Sequence, residues 1–254
     1  MTTTSYDYGR ILVTGAAGRI GRAFRHYVGD RYQLRLADKT IDSLSAVRQS
    51  HDEVVGFDLA DLDACQRACA DVGAVLHLGA DPSPEADFYG SLLDNNIKGT
   101  YNIFRAAADQ GCRRVIYASS VQASEGYELD VQASEHMRVR PGNIYGVTKC
   151  FGEALASRFA DAEGLSSIAV RIGFFAEPEE LPGKSARDLS AFISPRDIGD
   201  LFVRCIETPD IAFAIVAGIS NNRFKRVDLT SARELLGYEP RDDAFAIAGI
   251  ELHG

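Results

Sequence analysis

The feature that most constrains this chain is a glycine-rich turn at residues 14–21 (TGAAGRIG). The turn follows a short apolar run, residues 10–14, and it opens an amphipathic segment over residues 20–28. Glycines allow a tight turn and a close approach of backbone N–H groups to a phosphate, and a helix start carries about half a positive charge. A strand, this turn and a helix in this order predict a cradle for the diphosphate of a dinucleotide.

The rest of the chain alternates short apolar runs with longer amphipathic segments. Further strands are expected over residues 33–37, 54–57, 74–78, 115–118, 167–172 and 213–217, and helices over residues 62–70, 92–110 and 143–162. Continuous apolar runs suit strands that are covered on both faces. Alternation of strands and helices implies right-handed crossovers, so the sequence predicts an α/β fold with a doubly wound parallel sheet. Residues 194–197 (SPRD) are typical of a capping box at a helix start.

Composition excludes several classes of protein. The 254 residues are 46% hydrophobic and 25% charged, which is typical of a folded domain rather than a disordered chain. The net charge of -9, with no basic stripe, argues against a nucleic-acid partner. The longest apolar run, residues 211–219, is too short to span a membrane, and the N-terminus reads as an exposed tail without a signal peptide. Five scattered cysteines indicate free thiols in the cytoplasm and no metal site.

The choice of dinucleotide depends on Asp38, at the end of the second expected strand. A carboxylate there accepts a hydrogen bond from the ribose 2′-hydroxyl and repels a 2′-phosphate, which favours NAD over NADP. Lys39 and Arg19 keep the alternative open, because either cation could face a 2′-phosphate.

A proton-transfer pair is predicted at the start of the helix over residues 143–162. Tyr145 and Lys149 are four residues apart and therefore share one helix face. A phenol is protonated at neutral pH, and a cation held close is expected to lower its pKa. Ser120, near the carboxyl end of the fifth expected strand, would complete the site by bonding the reacting oxygen.

Together these motifs resemble the extended short-chain dehydrogenase/reductase superfamily of NAD-dependent epimerases and dehydratases, which has a Rossmann fold. The resemblance covers nearly the whole chain. It rests on residues 14–21, Asp58-Leu59, residues 77–80 (HLGA), residues 95–100 (NNIKGT), residues 118–120 (ASS), residues 145–149 (YGVTK) and residues 236–240 (LGYEP).

The resemblance implies a single domain over residues 1–254, with substrate-binding elements mainly in residues 174–195 and 219–254. The implied cofactor contacts are Gly15, Ala17, Gly18, Arg19, Ile20, Gly21, Asp38, Asp58, Leu59, Leu78, Gly79, Ala80, Asn96, Ala118, Tyr145, Lys149 and Ile172. Asn96 would also approach the active-site helix. His77 is instead expected to be a core-strand histidine.

Within the superfamily, the sequence is most similar to the uronate dehydrogenase family, through residues 12–22, 58–61, 145–153 and 170–173. That resemblance implies NAD-dependent oxidation of a sugar or sugar-acid hydroxyl at the anomeric carbon, with Tyr145 as base. Its implied substrate contacts are Ser119, Ser120, Val121, Gln122, Phe174 and Arg187.

Several of these positions depart from that family. Its Asn-His pair after the strand-end serine is replaced here by Val121 and Gln122, and two of its pocket serines by Phe174 and Pro82. Its carboxylate-binding arginine corresponds to Arg187, whose guanidinium can grip a carboxylate through two parallel bonds. The sugar pocket is therefore expected to be more apolar, and the exact substrate stays open.

Two other functions stay open from the sequence. One is a nucleotide-sugar epimerase or dehydratase, although Val121 and Gln122 do not supply the acidic pair of dehydratases. The other is a dinucleotide-binding member of the superfamily without turnover. A homo-oligomer is also compatible with the sequence, through the two long helices and an apolar face around Phe104 and Phe151.

Overall fold

The computed structural model describes residues 8–250 and is built around one seven-stranded parallel sheet. The tail expected at the N-terminus lies mostly in residues 1–7, outside the described residues, as do the last four residues of the expected segment 219–254. The strands are β1 (Arg10–Thr14), β2 (Gln33–Asp38), β3 (Glu53–Gly56), β4 (Ala74–His77), β5 (Arg114–Ser120), β6 (Ser166–Ile172), β7 (Phe174–Phe175), β8 (Phe192–Ile193) and β9 (Phe213–Gly218).

Helices cover both faces of this sheet. They are α1 (Arg19–Val28), α2 (Leu62–Cys69), α3 (Gly99–Asp109), α4 (Ile144–Glu163), α5 (Ala186–Ala191), α6 (Pro195–Glu207), α7 (Thr230–Leu236) and α8 (Ala244–Ile247). None of the helices within residues 8–250 is both long and apolar enough to cross a bilayer.

The strand order is β3-β2-β1-β4-β5-β6-β9, and β7 pairs with β8 in a separate two-stranded sheet. The predicted doubly wound α/β fold is therefore confirmed. The order reverses between β1 and β4, and such a reversal opens a crevice at the carboxyl ends of the strands.

Side chains alternate across β1 and divide the core into two layers. Ile11 and Val13 pack in the layer that holds α1 and α6. Leu12 packs on the opposite side with Phe104 of α3 and Phe159 of α4. Because both faces are apolar and covered, the strands read as the continuous apolar runs seen in the sequence.

The helix predicted over residues 92–110 is in fact two elements. A π-helical segment, Phe88–Lys98, runs directly into α3. A π-helix has wider turns than the 3.6-residue period that predicted this helix. Asn96 lies in the segment and is buried.

Only one of the two hydrogen bonds of the predicted capping box at Ser194 is present. Ser194 Oγ accepts a hydrogen bond from the Asp197 N–H at 3.1 Å, and Pro195 is the first helical residue. The Asp197 carboxylate instead accepts from the N–H groups of Arg241 and Asp242, both at 3.0 Å. A tertiary contact has replaced the local one, so Asp197 ties α6 to the C-terminal region.

The apolar face expected around Phe104 and Phe151 is corrected at Phe104, whereas Phe151 is half-buried. Phe104 is fully buried, with its ring centroid 5.5 Å from that of Phe159. The exposed apolar residues of α3 and α4 include Tyr101 and Val147 instead. The homo-oligomer itself stays a prediction.

A buried ion pair joins α4 to the sheet. Arg171 of β6 donates from Nε and Nη2 to the Glu153 carboxylate of α4, at 2.8 and 2.9 Å. Ser119 of β5 donates to the same carboxylate at 2.7 Å. The two charged side chains are only 4% exposed each, so water could not solvate one charge if its partner were removed.

We therefore expect Glu153→Ala to lower the free energy of unfolding by about 3–5 kcal/mol, because it leaves the Arg171 charge buried and unpaired. Urea unfolding followed by circular dichroism measures this loss. The matched control is Glu163→Ala, which breaks a pair with Arg105 that is 27% and 29% exposed. That loss should stay below about 1 kcal/mol, and equal losses would contradict the argument.

Candidate functional site

A cleft of about 1080 Å³ opens at the carboxyl ends of the strands around the switch point. It brings together nearly all the residues singled out from the sequence. Those that line it are Gly15, Ala17, Gly18, Arg19, Ile20, Gly21, Asp38, Asp58, Leu59, Leu78, Gly79, Ala80, Ala118, Ser119, Ser120, Val121, Gln122, Tyr145, Lys149, Ile172, Phe174 and Arg187.

Asn96 does not line the cleft and supports its wall from behind. Its Nδ2 donates to the Asp81 carbonyl at 3.0 Å and to Thr148 Oγ1 of α4 at 3.2 Å. Its Oδ1 accepts from the Asp81 N–H at 2.8 Å. Asn96 thus approaches the helix that carries Tyr145, as expected. Its amide is bonded to protein groups behind the cleft wall, whereas a contact with the cofactor was expected.

The two segments expected to bind substrate, residues 174–195 and 219–254, differ in their contribution to the cleft. Phe174, Phe175 and Arg187 line the cleft, whereas within residues 219–250 no residue lines it.

The glycine turn is shaped for a close approach of backbone. Gly15 has φ +66°, and a Cβ added there would lie 2.8 Å from the Gly79 nitrogen, so this position requires glycine. The first residue before α1 is Gly18, and among the described residues no side chain caps this helix start and no acidic residue lies in its first turn. The N–H groups of that turn therefore suit a diphosphate.

The Asp38 carboxylate is held in place at the end of β2. It accepts hydrogen bonds from the Ala17 N–H at 3.0 Å and from the Lys39 N–H at 2.8 Å. This position suits the ribose hydroxyls of a dinucleotide whose diphosphate lies on the glycine turn.

Both cations that left the selectivity for NAD open are paired with carboxylates. Lys39 Nζ lies 2.9 Å from Asp58 Oδ2, a contact that raises the pKa of the lysine and lowers that of Asp58. Arg19 forms an ion pair with Glu180. Each cation is thereby partly neutralised, which weakens the attraction that either could offer a 2′-phosphate.

Tyr145, Lys149 and Ser120 converge at the other end of the cleft. Asn143 caps α4 by accepting from the Gly146 N–H at 2.8 Å, which starts the helix immediately before Tyr145. Lys149 Nζ donates to the Ala118 carbonyl at 2.9 Å and lies 5.3 Å from the centroid of the Tyr145 ring. The Ser120 hydroxyl lies close enough to the phenol of Tyr145 to lower its pKa.

The pKa of Tyr145 is raised, to about 12, whereas lowering was expected from Lys149. Burial is the main cause, and it outweighs the hydrogen bond from Ser120, which lowers the value; the charge of Asp81 raises it further. Burial also lowers the pKa of Lys149 to about 8. Desolvation therefore moves the two pKa values apart, because it penalises the charged form of each group.

His77 is a core-strand residue, as predicted. Its Nδ1 shares a hydrogen bond of 2.7 Å with Thr14 Oγ1, and Thr14 Oγ1 accepts from the Gly79 N–H at 3.1 Å. Burial lowers the pKa of His77 to about 3, so the ring is neutral. This chain of hydrogen bonds fixes the loop after β4 against the glycine turn.

Sequence reasoning missed Asp81 as a cleft residue. Its carboxylate accepts from the Ser91 hydroxyl and from the Ser83 N–H, and it lies close enough to Tyr145 to affect the pKa of the phenol. The available signal was its place four residues after the end of β4, next to the switch point.

Arg187 lines the cleft, but its guanidinium is already occupied. Nε and Nη2 donate to the two carboxylate oxygens of Glu125, at 3.0 and 2.6 Å. Nη1 donates to Asp188 at 3.1 Å. This geometry differs from the free, carboxylate-gripping arginine that the family resemblance implied.

The remaining predicted pocket residues form a mixed surface. Gln122 uses its amide oxygen to accept from Asn143 Nδ2 at 2.9 Å. Phe174 is half-buried, with Lys184 Nζ 5.5 Å from its ring centroid. Val121 is buried in the core behind them. The pocket is thus partly apolar.

Comparison with known proteins identifies the family. The model of the NAD dependent epimerase/dehydratase family matches residues 11–198. The chain belongs to this family.

Relatives of known activity align over nearly the full chain. An NAD-dependent glucose-6-phosphate dehydrogenase of Haloferax volcanii is 38% identical, covering 92% of this chain and 94% of its own. A uronate dehydrogenase of Pseudomonas putida is 35% identical, covering 96% and 87%. In structure, a mutant uronate dehydrogenase of Agrobacterium tumefaciens complexed with NAD gives a TM-score of 0.83 at 34% identity, covering 93% and 86%. The chain is an NAD-dependent dehydrogenase of the short-chain dehydrogenase/reductase type.

We expect Asp38→Asn to raise the affinity for NADPH relative to NADH by about tenfold, because it removes the charge that repels the 2′-phosphate. Titration of the fluorescence of each reduced nucleotide measures both dissociation constants without turnover. Asp42→Asn is the matched control, since Asp42 is exposed in the next turn. An unchanged NADPH/NADH ratio in Asp38→Asn would contradict the role of Asp38.

The lowered pKa of Lys149 predicts a change of stability with pH. Between about pH 8, its folded pKa, and its ordinary value of 10.5, the unfolded chain binds more protons, so folding stability should rise with pH. In the cofactor-free protein, wild type should therefore gain stability relative to Lys149→Met between pH 8 and 10. Urea unfolding at each pH measures the difference, and a constant or falling difference would show that the ammonium is not desolvated.

Proposed function

We propose that this dehydrogenase oxidises the anomeric hydroxyl of a sugar or sugar acid to a lactone, with Tyr145 as the base. The observation that carries the proposal is that Tyr145, Lys149 and Ser120 converge at one end of the cleft. The relatives named as glucose-6-phosphate and uronate dehydrogenases support a sugar or sugar acid as the substrate.

NAD would be held at two places by the chain's own groups. The N–H groups at the start of α1, next to Gly18, suit its diphosphate, and the Asp38 carboxylate suits its adenosine ribose. When bound, NAD accepts the hydride that leaves the anomeric carbon.

Tyr145 takes the proton of the reacting hydroxyl. The O–H proton passes to Oη of the tyrosinate, and the C–H bond breaks as the hydride leaves. The electron pair of the O–H bond then forms the carbonyl of the lactone. Ser120 has two tasks: its hydroxyl bonds the phenol, which favours the tyrosinate, and it holds the reacting oxygen within reach.

Lys149 opposes the effect of burial on Tyr145. Its ammonium, 5.3 Å from the phenol ring centroid, favours the tyrosinate when this forms. The bond from Nζ to the Ala118 carbonyl keeps the ammonium beneath the ring. The ribose next to the nicotinamide is a further group within its proposed reach.

We expect Tyr145→Phe to reduce kcat by about 10²–10⁴-fold, because general base catalysis by the phenol is lost. NADH affinity should stay within about twofold, since the ring remains. Initial rates of NADH formation, with a panel of aldoses and hexuronates, and NADH fluorescence titration measure the two effects. The control is Tyr101→Phe on α3, whose side chain is exposed. Turnover retained by Tyr145→Phe would remove the phenol from the reaction.

A further inference from the structure

The charge at the sugar end of the cleft is already neutralised. Arg187 is the arginine there that could hold an acidic substrate. Its guanidinium already donates two parallel hydrogen bonds to the Glu125 carboxylate. Its third nitrogen donates to Asp188. Paired in this way, the guanidinium has little positive charge to offer a substrate.

Glu125 is itself fixed from behind by a second arginine. Arg226 is 4% exposed and donates to the carbonyls of Tyr127, Glu128 and Val131, at 2.6–2.9 Å. Its Nε lies 3.4 Å from Glu125 Oε1. Glu125 is therefore anchored between two arginines and is not a mobile surface carboxylate that a substrate could easily displace.

The other charges near this end are mixed, and Lys184 is an exposed cation 5.5 Å from the Phe174 ring centroid that is not among the residues lining the cleft. Asp81 places a carboxylate on the cleft wall near Tyr145. Lys149 is buried beneath the Tyr145 ring and held by the Ala118 carbonyl. Among the described cleft residues, Arg19 and Lys39 are paired with Glu180 and Asp58.

We propose, on the basis of the function argued above, that Glu125 sets the specificity of this site: it occupies Arg187, so that the enzyme selects neutral aldoses over uronates. A substrate carboxylate would have to break the Glu125–Arg187 pair and leave Glu125, which is 16% exposed, with only its longer contact to Arg226. Displacing one partner of a largely buried pair is costly, whereas a neutral hydroxyl at the same place requires no such exchange.

Matched sugars test this proposal in the full-length protein with NAD. Galactose and galacturonate differ only at C6, as do glucose and glucuronate, and glucose 6-phosphate is a third, dianionic probe. Initial rates of NADH formation give kcat/KM for each sugar. Wild type should prefer the neutral member of at least one pair by about tenfold or more, and it should prefer glucose to glucose 6-phosphate.

Glu125→Gln removes the carboxylate that holds Arg187, and it should shift the neutral-to-uronate ratio toward the uronate by about tenfold. Glu128→Gln is the matched control, because it removes the same charge from an exposed side chain of the same loop and keeps the carbonyl that Arg226 uses. Its ratio should equal that of wild type. An equal ratio in Glu125→Gln and Glu128→Gln would overturn the proposal.

The remaining outcomes separate the two proposals. A wild type that prefers a uronate or the sugar phosphate overturns the role of Glu125 but leaves sugar oxidation intact, whereas no NADH from any sugar overturns the proposed function itself. If Glu125→Gln does not fold, Arg187→Gln decides: it should change kcat/KM for both members of a pair by the same factor, within about threefold. A loss confined to the uronate would show that Arg187 grips its carboxylate.

Discussion

The reactive end of the site depends on how tightly α4 is attached to the sheet. Glu153 of this helix is bound by Arg171 and Ser119, and Lys149 is bound by the Ala118 carbonyl. These contacts reach β5 and β6, two neighbouring strands of one parallel sheet. They fix the position of the helix relative to the end of β5, where Ser120 meets Tyr145.

The same attachment buries Tyr145 and Lys149, the pair proposed to act in proton transfer. Tyr145 and Lys149 both lose water, and desolvation raises the pKa of the phenol while it lowers that of the ammonium. Lys149 nonetheless keeps a donor role, because a backbone carbonyl satisfies it without neutralising its charge. The site therefore retains a cation next to the phenol, and Ser120 lowers the cost of forming tyrosinate.

Local patterns predicted the fold and most of the cleft, and contacts between distant residues account for the differences. The glycine turn, Asp38 and the Tyr145–Lys149 pair all lie where local spacing predicted them, because each belongs to a strand end or to one helix face. Local patterns did not predict the π-helical segment, the burial of Phe104 or the partners of Arg187. Arg187 meets Glu125 across 62 residues of sequence, and no periodicity encodes such a pair.

At both ends of the cleft, a cation on the wall is paired with a neighbouring carboxylate. Next to Asp38, the Asp58 carboxylate pairs with Lys39, which weakens the attraction of this lysine for a 2′-phosphate. At the sugar end, Glu125 pairs with Arg187 in the same manner. A cation on a cleft wall is thus no guide to the charge of the ligand until its own partners are known. In both places a neighbouring carboxylate reduces the charge that the cation can offer an anion, so the reasoning that favours NAD over NADP is the same as the one behind the proposed preference for an aldose over a uronate.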